Sequence, residues 1–233
     1  MKKLVVSTGA GISAESGLST YRDAGGLWEN YPVMQVASAD GFQRDPALIH
    51  KFYNERRKQL VECAPNAAHY GLKELEDAFD VRIITQNVDD LHERAGSSHV
   101  LHLHGELMKV RSMTHPERVY DVRDITGGGI ETSLSTRDPY GDPVRPHIVF
   151  FQEAVPNFAP AAELVQEADI FVVIGTSLVV YPAASLISYV RKGVPIYYID
   201  PNPADTGTLP VTVIREKATE GVRKLAEILR TSH

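Results

Sequence analysis

The sequence predicts an α/β fold with a doubly wound parallel sheet and a small inserted module. Short apolar runs rich in β-branched residues recur along the chain, as expected for strands that are buried on both faces. Segments with helical periodicity separate many of these runs, which indicates parallel strands joined by helices. Two segments, near residues 20–76 and 106–146, break the alternation. Each is interpreted as part of an inserted module, because compact domains rarely contain such long structureless loops.

The individual strands and helices follow from these patterns in chain order. Strands are predicted at KLVVST ending at Thr8, VRIIT (81–85), HVLHLH (99–104), HIVFF (147–151), DIFVVIG (169–175), VPIYYI (194–199) and VTVI (211–214). Helices are predicted at 46–62, at 66–79 and between Pro182 and Gly193. A last helix closes the chain, with Thr219 predicted as its N-cap.

Composition excludes several classes of protein and of site. Cys63 is the only cysteine among 233 residues, so the chain can form neither an intrachain disulfide nor a cysteine-based zinc site. A formal net charge of −6 disfavours binding to nucleic acid by charge alone. The apolar run at the N-terminus is too short for a signal peptide, and no run approaches the roughly 20 residues that span a membrane. We therefore expect a cytoplasmic protein without nucleic-acid or membrane partners.

The first strand leads directly into a glycine-rich loop, Gly9-Ala10-Gly11-Ile12-Ser13-Ala14. This is the G-x-G-x-x-A form of a dinucleotide loop, in which glycines permit a tight turn and a close approach of backbone amides to a pyrophosphate. The alternative is a tight strand-to-helix turn without a ligand. The acidic residue that dehydrogenases carry ~20 positions further on is missing. A dinucleotide would therefore not be held in the usual dehydrogenase manner.

Polar side chains follow two further predicted strands. Gln86, Asn87 and Asp89 come just after an apolar strand, where ligands bind in parallel sheets, although Asp89 could instead cap the next helix. His102 and His104 are expected on one face of the next strand. A zinc site would need further ligands, and no other residue has a recognisable spacing. His104, at the predicted strand end, is the better candidate for a general base.

Taken together, these motifs resemble those of sirtuins, the NAD-dependent protein lysine deacylases. The stretches GAGISAESG, TQNVDDLH, HGEL, PHIVFFQE and IGTSLVVYPAA occur in the order found in that family and span nearly the whole chain. The resemblance implies a Rossmann-like domain plus a small module, with NAD and the acyl-lysine between them. It divides the chain into an NAD-binding domain of residues 1–26, 77–105 and 147–233, a cofactor-loop and helical segment of residues 27–76, and a small module of residues 106–146.

The resemblance also implies a reaction and the residues that carry it. In sirtuins the acyl oxygen attacks C1′ of the nicotinamide ribose, nicotinamide leaves, and a base then activates a ribose hydroxyl; the products are nicotinamide, O-acyl-ADP-ribose and free lysine. His104 matches that base, Asn87 would orient the ribose or a water, and Asp89 would bind the nicotinamide carboxamide. The backbone of Val149 would accept a hydrogen bond from the substrate lysine. Phe151 would form a wall of the lysine tunnel.

The cofactor-binding positions implied by the resemblance include three departures from the family pattern. The usual Phe before Arg22 is Tyr21, the usual Gly after Phe151 is Gln152, and Asp200 stands where an Asn is frequent. Gln152 is expected to alter the strand that clamps the peptide. The matching positions are Gly9, Ala10, Gly11, Ser13, Ala14, Arg22, Gln86, Asn87, Asp89, Gly175, Thr176, Ser177 and Asp200.

A larger departure lies in the module after His104. Sirtuins usually carry two cysteine pairs there that bind a structural zinc, whereas residues 107–145 contain no cysteine. We therefore predict no zinc, and a replacement site from His115, Asp121 and Asp124 is disfavoured. Losing such a metal removes a staple from a small module. We expect the module to be smaller, more mobile or packed by apolar residues, namely Met113, Val119, Tyr120, Val122 and Ile125.

A Tyr-x-x-Arg pattern bears on the acyl group. Tyr53 and Arg56 are three apart on a predicted helix and share a face, so together they could hold a carboxylate at the end of an acyl chain. The pattern, with the small residue Ala24 in the cofactor loop, resembles the sirtuin subgroup that removes succinyl and malonyl groups. The alternative is a surface arginine in a basic run beside a core tyrosine.

Three functions are compatible with these residues. The leading hypothesis is NAD-dependent removal of succinyl, malonyl or acetyl groups from protein lysines by a monomer. The second is an NAD hydrolase or ADP-ribosyltransferase on the same scaffold, which would not require an acyl-peptide. The third is a catalytically silent NAD- or metabolite-binding module, against which His104, Asn87 and Asp89 argue.

Overall fold

Two sheets organise the fold. The computed structural model describes residues 1–18 and 31–231. The strands are β1 (Lys3–Thr8), β2 (Asp80–Thr85), β3 (Val100–His102), β4 (Gly105–Ser112), β5 (Val119–Asp121), β6 (Val144–Ile148), β7 (Ile170–Ile174), β8 (Ile196–Ile199) and β9 (Val211–Ile214). The larger sheet has the order β3-β2-β1-β7-β8-β9 with parallel neighbours throughout. The chain thus builds outward from β1 in both directions, which confirms the predicted doubly wound parallel sheet.

Helices cover both faces of this sheet and support the small module. They are α1 (Gly11–Ala14), α2 (Val33–Val36), α3 (Ala39–Arg44), α4 (Pro46–Glu62), α5 (Ala67–Glu74), α6 (Leu91–Arg94), α7 (Val122–Thr126), α8 (Phe158–Glu167) and α9 (Ala218–Thr231), with 3₁₀ helices at Leu75–Asp77 and Ala183–Tyr189. The bounds of α4 match the prediction. Asp45 caps α4 by accepting from the Leu48 N–H, and Pro46 occupies its first turn, where no intrahelical N–H is needed.

The two faces of the large sheet pack into separate cores, as strand alternation requires. Leu4 and Val6 of β1 contribute to one core with Leu72 of α5 and Leu225 of α9. Val5 points into the other core, which includes residues of α8 and the second 3₁₀ helix. A third core lies between α4 and the small module. None of the helices in the described ranges has the length and apolar character needed to cross a bilayer.

The small module is an antiparallel sheet of three strands in the order β5-β4-β6. The segment HIVFF was therefore wrongly predicted as a parallel strand, because apolar composition does not report the direction of pairing. Strands β4 and β5 were not predicted at all. The alternating burial along β4 explains its polar sequence, since only one of its faces packs on the core between α4 and the module.

Several predicted element ends also differ from the structure. β3 ends at His102, so the two histidines do not share a strand; Gly105 follows with a φ of 89° and starts β4. Thr219 lies inside α9 rather than capping it, and its N–H and hydroxyl both bind the Glu15 carboxylate. The helix predicted from Pro182 is a shorter 3₁₀ helix.

Packing of the module agrees only in part with the sequence-based expectation. Val122 is fully buried, and Tyr120 and Ile125 pack against the same core while partly exposed. Met113 and Val119, in contrast, are exposed, so these two residues were wrongly predicted to pack it.

Candidate active site

The candidate site lies at the carboxyl ends of three neighbouring strands, β2, β1 and β7. Thr8 pairs with Thr85 on one side and with Ile174 on the other, so the residues that follow all three strands emerge at one edge of the sheet. This edge is the switch point from which the strands are laid down in opposite directions, where ligands of doubly wound sheets bind. A cavity of about 340 Å³ opens there.

Most of the residues predicted from sequence line this cavity. They are Gly9, Ala10, Gly11, Tyr53, Gln86, Asn87, His104, Val149, Phe151, Gly175, Thr176 and Ser177. Ser13, Asp89 and Arg56 are buried and are not among the lining residues, and Asp200 follows β8 at the same edge of the sheet. Ala14 is exposed at the end of α1. Arg22 and Ala24 lie outside the described residues.

Glycines allow two loops to meet beneath the cavity. A Cβ on Gly9 would lie 2.7 Å from the Gly175 carbonyl oxygen, and one on Gly11 would lie 2.6 Å from the Gly175 Cα. The Gly11 N–H donates to the Gly175 carbonyl at 2.9 Å, and the Gly9 N–H donates to Ile174 at 2.9 Å. These two amides therefore bind the last residue of β7 and the first residue after it, and the glycines permit the close contact between the two loops.

Asn87 is fixed by a buried polar network. Its Nδ2 donates to the Gly9 carbonyl at 3.1 Å and to Ser13 Oγ at 3.2 Å. Ser13 Oγ in turn donates to Asp89 Oδ2 at 2.9 Å, and Asp89 Oδ1 accepts from the Leu91 N–H at 3.1 Å. Burial raises the pKa of Asp89 from its ordinary value, although these hydrogen bonds favour the carboxylate. Asp90, not Asp89, is the N-cap residue of α6, so Asp89 binds the first N–H of that helix without being the cap that the sequence allowed as an alternative.

His104 is held in one tautomer. Its Nδ1 lies 3.0 Å from the Gln86 carbonyl oxygen, which can only accept, so Nδ1 carries the proton and Nε2 is the free base of the neutral ring. Burial lowers the pKa of His104 below its ordinary 6.5, and the bond to Gln86 opposes that shift only in part. The ring is therefore neutral near pH 7 and suited to accept a proton.

His102 has a different environment and no place at the cavity surface. Its Nδ1 contacts the Asn87 carbonyl at 3.0 Å and its Nε2 contacts Glu93 Oε1 at 2.8 Å. Burial opposes protonation, but the hydrogen bond and charge of Glu93 prevail and raise the pKa of His102. His102 therefore anchors the backbone of Asn87, whereas His104 faces the cavity.

A tight turn brings His104 beside Val149, the residue that follows β6. A Cβ on Gly105 would lie 2.0 Å from the His147 carbonyl oxygen, so only glycine permits this approach. The Val149 N–H donates to the His104 carbonyl at 2.9 Å. Phe151, which is 41% exposed, lies two residues further along at the cavity mouth.

Tyr53 and Arg56 occupy neighbouring turns of α4. Tyr53 lines the cavity and packs against Phe150, with ring centroids 6.1 Å apart. Arg56 is 7% exposed, and its Nη1 donates to Gln59 Oε1 at 3.0 Å. Arg56 is thus buried, which argues against the alternative interpretation of a surface arginine. Tyr53 is buried as well, as that alternative expected.

Some lining residues were not predicted as site residues. Gln152, Glu153 and the run from Val180 to Pro182 fall inside the sirtuin-like stretches and could have been found from them. Ala37 lies outside every such stretch, and nothing in the sequence around it indicated a site residue. In the part of the chain that the structure describes, no group of three His, Cys, Asp or Glu side chains is arranged to hold a metal ion.

Comparison with known proteins assigns the family. A Sir2 family model matches residues 9–182. An NAD-dependent protein deacylase of Bacteroides thetaiotaomicron is 55% identical over 98% of both chains, and one of Helicobacter pylori is 51% identical over 97% of this chain and 96% of its own. A Sir2 homologue solved with NAD has a TM-score of 0.86 at 39% identity, covering 99% of this chain and 90% of its own. A mutant Sir2 homologue bound to ADP ribose has a TM-score of 0.89 at 38% identity, covering 99% and 93%. The chain belongs to the Sir2 family.

Proposed function

We propose that this chain is an NAD-dependent protein lysine deacylase that transfers the acyl group to ADP-ribose. The observation that carries the proposal is a single cavity that joins a neutral, tautomer-fixed histidine, His104, to the glycine loop and to an apolar wall at Phe151. The names of the closely similar deacylases support the reaction. The chain would act as a monomer on acyl-lysine proteins.

The glycine loop fits NAD. Gly9, Ala10 and Gly11 line the cavity, and a Cβ on Gly9 would lie 2.7 Å from both the Gly175 carbonyl oxygen and Thr176 Cβ, so the loop has no room for a side chain there. When bound, NAD supplies a ribose carbon that the acyl oxygen can attack as nicotinamide leaves. Thr176, whose Oγ1 accepts from Gln86 Nε2 at 3.2 Å, would contact the adenosine side.

The chain's own residues would then position the substrates and move one proton. His104 Nε2 would accept the proton of a ribose hydroxyl, because Nδ1 is already bound to Gln86. Asn87 would orient the ribose or a water from a position fixed by Gly9 and Ser13. The Val149 carbonyl would accept a hydrogen bond from the substrate lysine, and Phe151 would exclude water from its alkyl chain.

Mass spectrometry of acyl-peptides tests this function. A succinyl-lysine peptide and its acetyl twin would be incubated with the protein and NAD. Peptide-dependent loss of the acyl group, with nicotinamide and an O-acyl-ADP-ribose as products, is the expected result. Equal consumption of NAD with and without peptide would instead identify an NAD hydrolase.

Arg56 is expected to determine acyl preference. Replacing Arg56 with Met should lower kcat/KM for the succinyl-peptide by roughly 10- to 100-fold, because a charge-assisted hydrogen bond to the terminal carboxylate is lost. Activity on the acetyl-peptide should change by less than about two-fold, since that group offers no carboxylate. Steady-state kinetics with both peptides would measure the ratio.

The matched control for Arg56 is Lys51, an exposed cation on the same helix. Lys51→Met should leave both kcat/KM values unchanged. A parallel loss on both peptides in Arg56→Met would show that Arg56 supports α4 rather than recognising the acyl group.

The acid limb of the pH–rate profile should report His104. Its neutral form is the base, and burial lowers its pKa below 6.5. The midpoint of the acid limb of kcat/KM should therefore lie below pH 6.5, since activity is lost as His104 takes up a proton. Deacylation rates measured from about pH 5 to 8 would test this, and a limb centred above 6.5 would exclude a base in this environment.

A further inference from the structure

Gln152 has a backbone conformation that is unfavourable for its residue type. Its φ is 77°, and Leu178, with a φ of 54°, is the other non-glycine residue with a positive φ among residues 1–18 and 31–231. Gln152 lines the cavity in the segment that follows β6, whereas Leu178 is not among its lining residues. A left-handed backbone conformation costs free energy for any residue that has a Cβ atom, whereas glycine adopts it freely. Residues retained in such conformations cluster at sites of function.

The side chain of Gln152 makes two hydrogen bonds to one residue. Its Nε2 donates to Asp40 Oδ2 at 2.8 Å, and its Oε1 accepts from the Asp40 N–H at 3.1 Å. Asp40 lies in the first turn of α3, whose Ala39 N–H donates to the Phe151 carbonyl at 3.1 Å. Two of the N–H groups that open α3 are therefore satisfied by residues 151 and 152.

Both backbone groups of Phe151 are hydrogen-bonded to residues at or just before the start of α3. Its N–H donates to the Ala37 carbonyl at 2.8 Å, so both of its backbone groups are bound to the segment that leads into α3. Phe151 and Ala37 both line the cavity, and the Gln152–Asp40 pair joins the two segments at its mouth. A glycine at position 152 would permit the same turn without this connection.

We propose that Gln152 is a positioning residue for the acyl-lysine. It fixes Phe151 against α3 through Asp40, and thereby sets the affinity for the acyl-peptide rather than the rate of the chemical steps. This role rests on the proposed deacylase function. The hydrogen bonds to Asp40 offset the unfavourable backbone conformation, so loss of the side chain should weaken peptide binding without weakening the fold.

Two sets of variants test the role. Gln152→Gly should raise KM for the acyl-peptide roughly 5- to 10-fold, with kcat and the KM for NAD changed by less than about two-fold. Its melting temperature should equal or exceed that of the wild type, because glycine relieves the backbone strain. Gln152→Glu alone should also raise the peptide KM, since it places a carboxylate against Asp40. Adding Asp40→Asn should restore the wild-type KM, because the Asn amide can donate to the new carboxylate.

Three results would overturn the proposal. They are an unchanged peptide KM in Gln152→Gly, a failure of the double substitution to restore KM, and a fall in melting temperature with parallel losses for both substrates, which would indicate a purely structural role. The wild-type protein in the same assay separates this proposal from the function on which it rests. A wild type that removes no acyl group refutes both, whereas an active wild type matched by all variants refutes only the role of Gln152.

Discussion

Replacing His104 with Ala should strongly lower the rate of acyl transfer while leaving nicotinamide exchange intact. In the proposed reaction the base acts only after nicotinamide has left, when a ribose hydroxyl must lose its proton. A positioned general base contributes about 10²- to 10⁴-fold, so deacylation should fall by that factor. Exchange of labelled nicotinamide into NAD, which depends on the peptide but on no base, should persist.

The experiment compares both rates in two histidine variants. His115 is exposed on the small module, and His115→Ala should change neither rate. His104→Ala protein should also keep its circular dichroism spectrum, because His104 is only partly buried and Gly105 still permits the turn. An equal loss of exchange and deacylation in His104→Ala would place the residue in the first step or in substrate binding, and would contradict a role as base.

The position of His104 also shows what the sequence could predict and what it could not. Residues after β1, β2 and β7 could be assigned to one site because parallel strands end at a common edge, and Gly9, Gln86 and Gly175 do lie together there. His104 was placed correctly at the cavity but wrongly on a strand. The turn depends on the close approach of Gly105 to His147, a contact between residues 42 positions apart that local patterns do not encode.

The small module was the least predictable part of the chain. Its strands pair in an antiparallel manner and expose one face, so their sequences lack the continuous apolar runs that identified the parallel sheet. α4, in contrast, was predicted with its bounds because its apolar residues recur with helical periodicity along one continuous segment. The Gln152–Asp40 contact could not be predicted either. The sequence identified Gln152 as a departure from the family pattern but gave no indication of its partner.

A buried arginine of α4 connects that helix to the small module. Arg57 is fully buried, and burial lowers its pKa to about 10, so it is charged at neutral pH. Its Nε donates to the Leu107 carbonyl at 2.8 Å and its Nη1 to the Ile130 carbonyl at 3.4 Å. Nη1 also donates to Asn54 Oδ1 at 2.9 Å. Asn54 Nδ2 donates to the Thr132 carbonyl, and Asn54 Oδ1 accepts from the Thr132 N–H. One helix turn thus holds two separate parts of the module, namely Leu107 and the segment 130–132.

Arg57→Met should therefore lower the free energy of unfolding by about 1–3 kcal/mol, because the buried Leu107 carbonyl loses its donor. Methionine keeps the helix propensity and much of the volume, so packing changes little. Urea unfolding followed by circular dichroism would measure the loss as a lower midpoint at an unchanged slope. The module should be affected first, which would appear as faster hydrogen exchange of β4 and β5 amides.

The adjacent residue supplies the control for Arg57. Lys58 is also a cation of α4, but it is exposed and pairs with Glu131 at the surface, where solvent screens the interaction. Lys58→Met should leave the unfolding midpoint unchanged. If Arg57→Met were as stable as the wild type or more so, burying the charge would cost more than its hydrogen bonds contribute, as occurs for some buried ion pairs. The attachment of the module would then depend on the apolar contacts of Leu107, Val110 and Val122 with α4, rather than on the hydrogen bonds of Arg57.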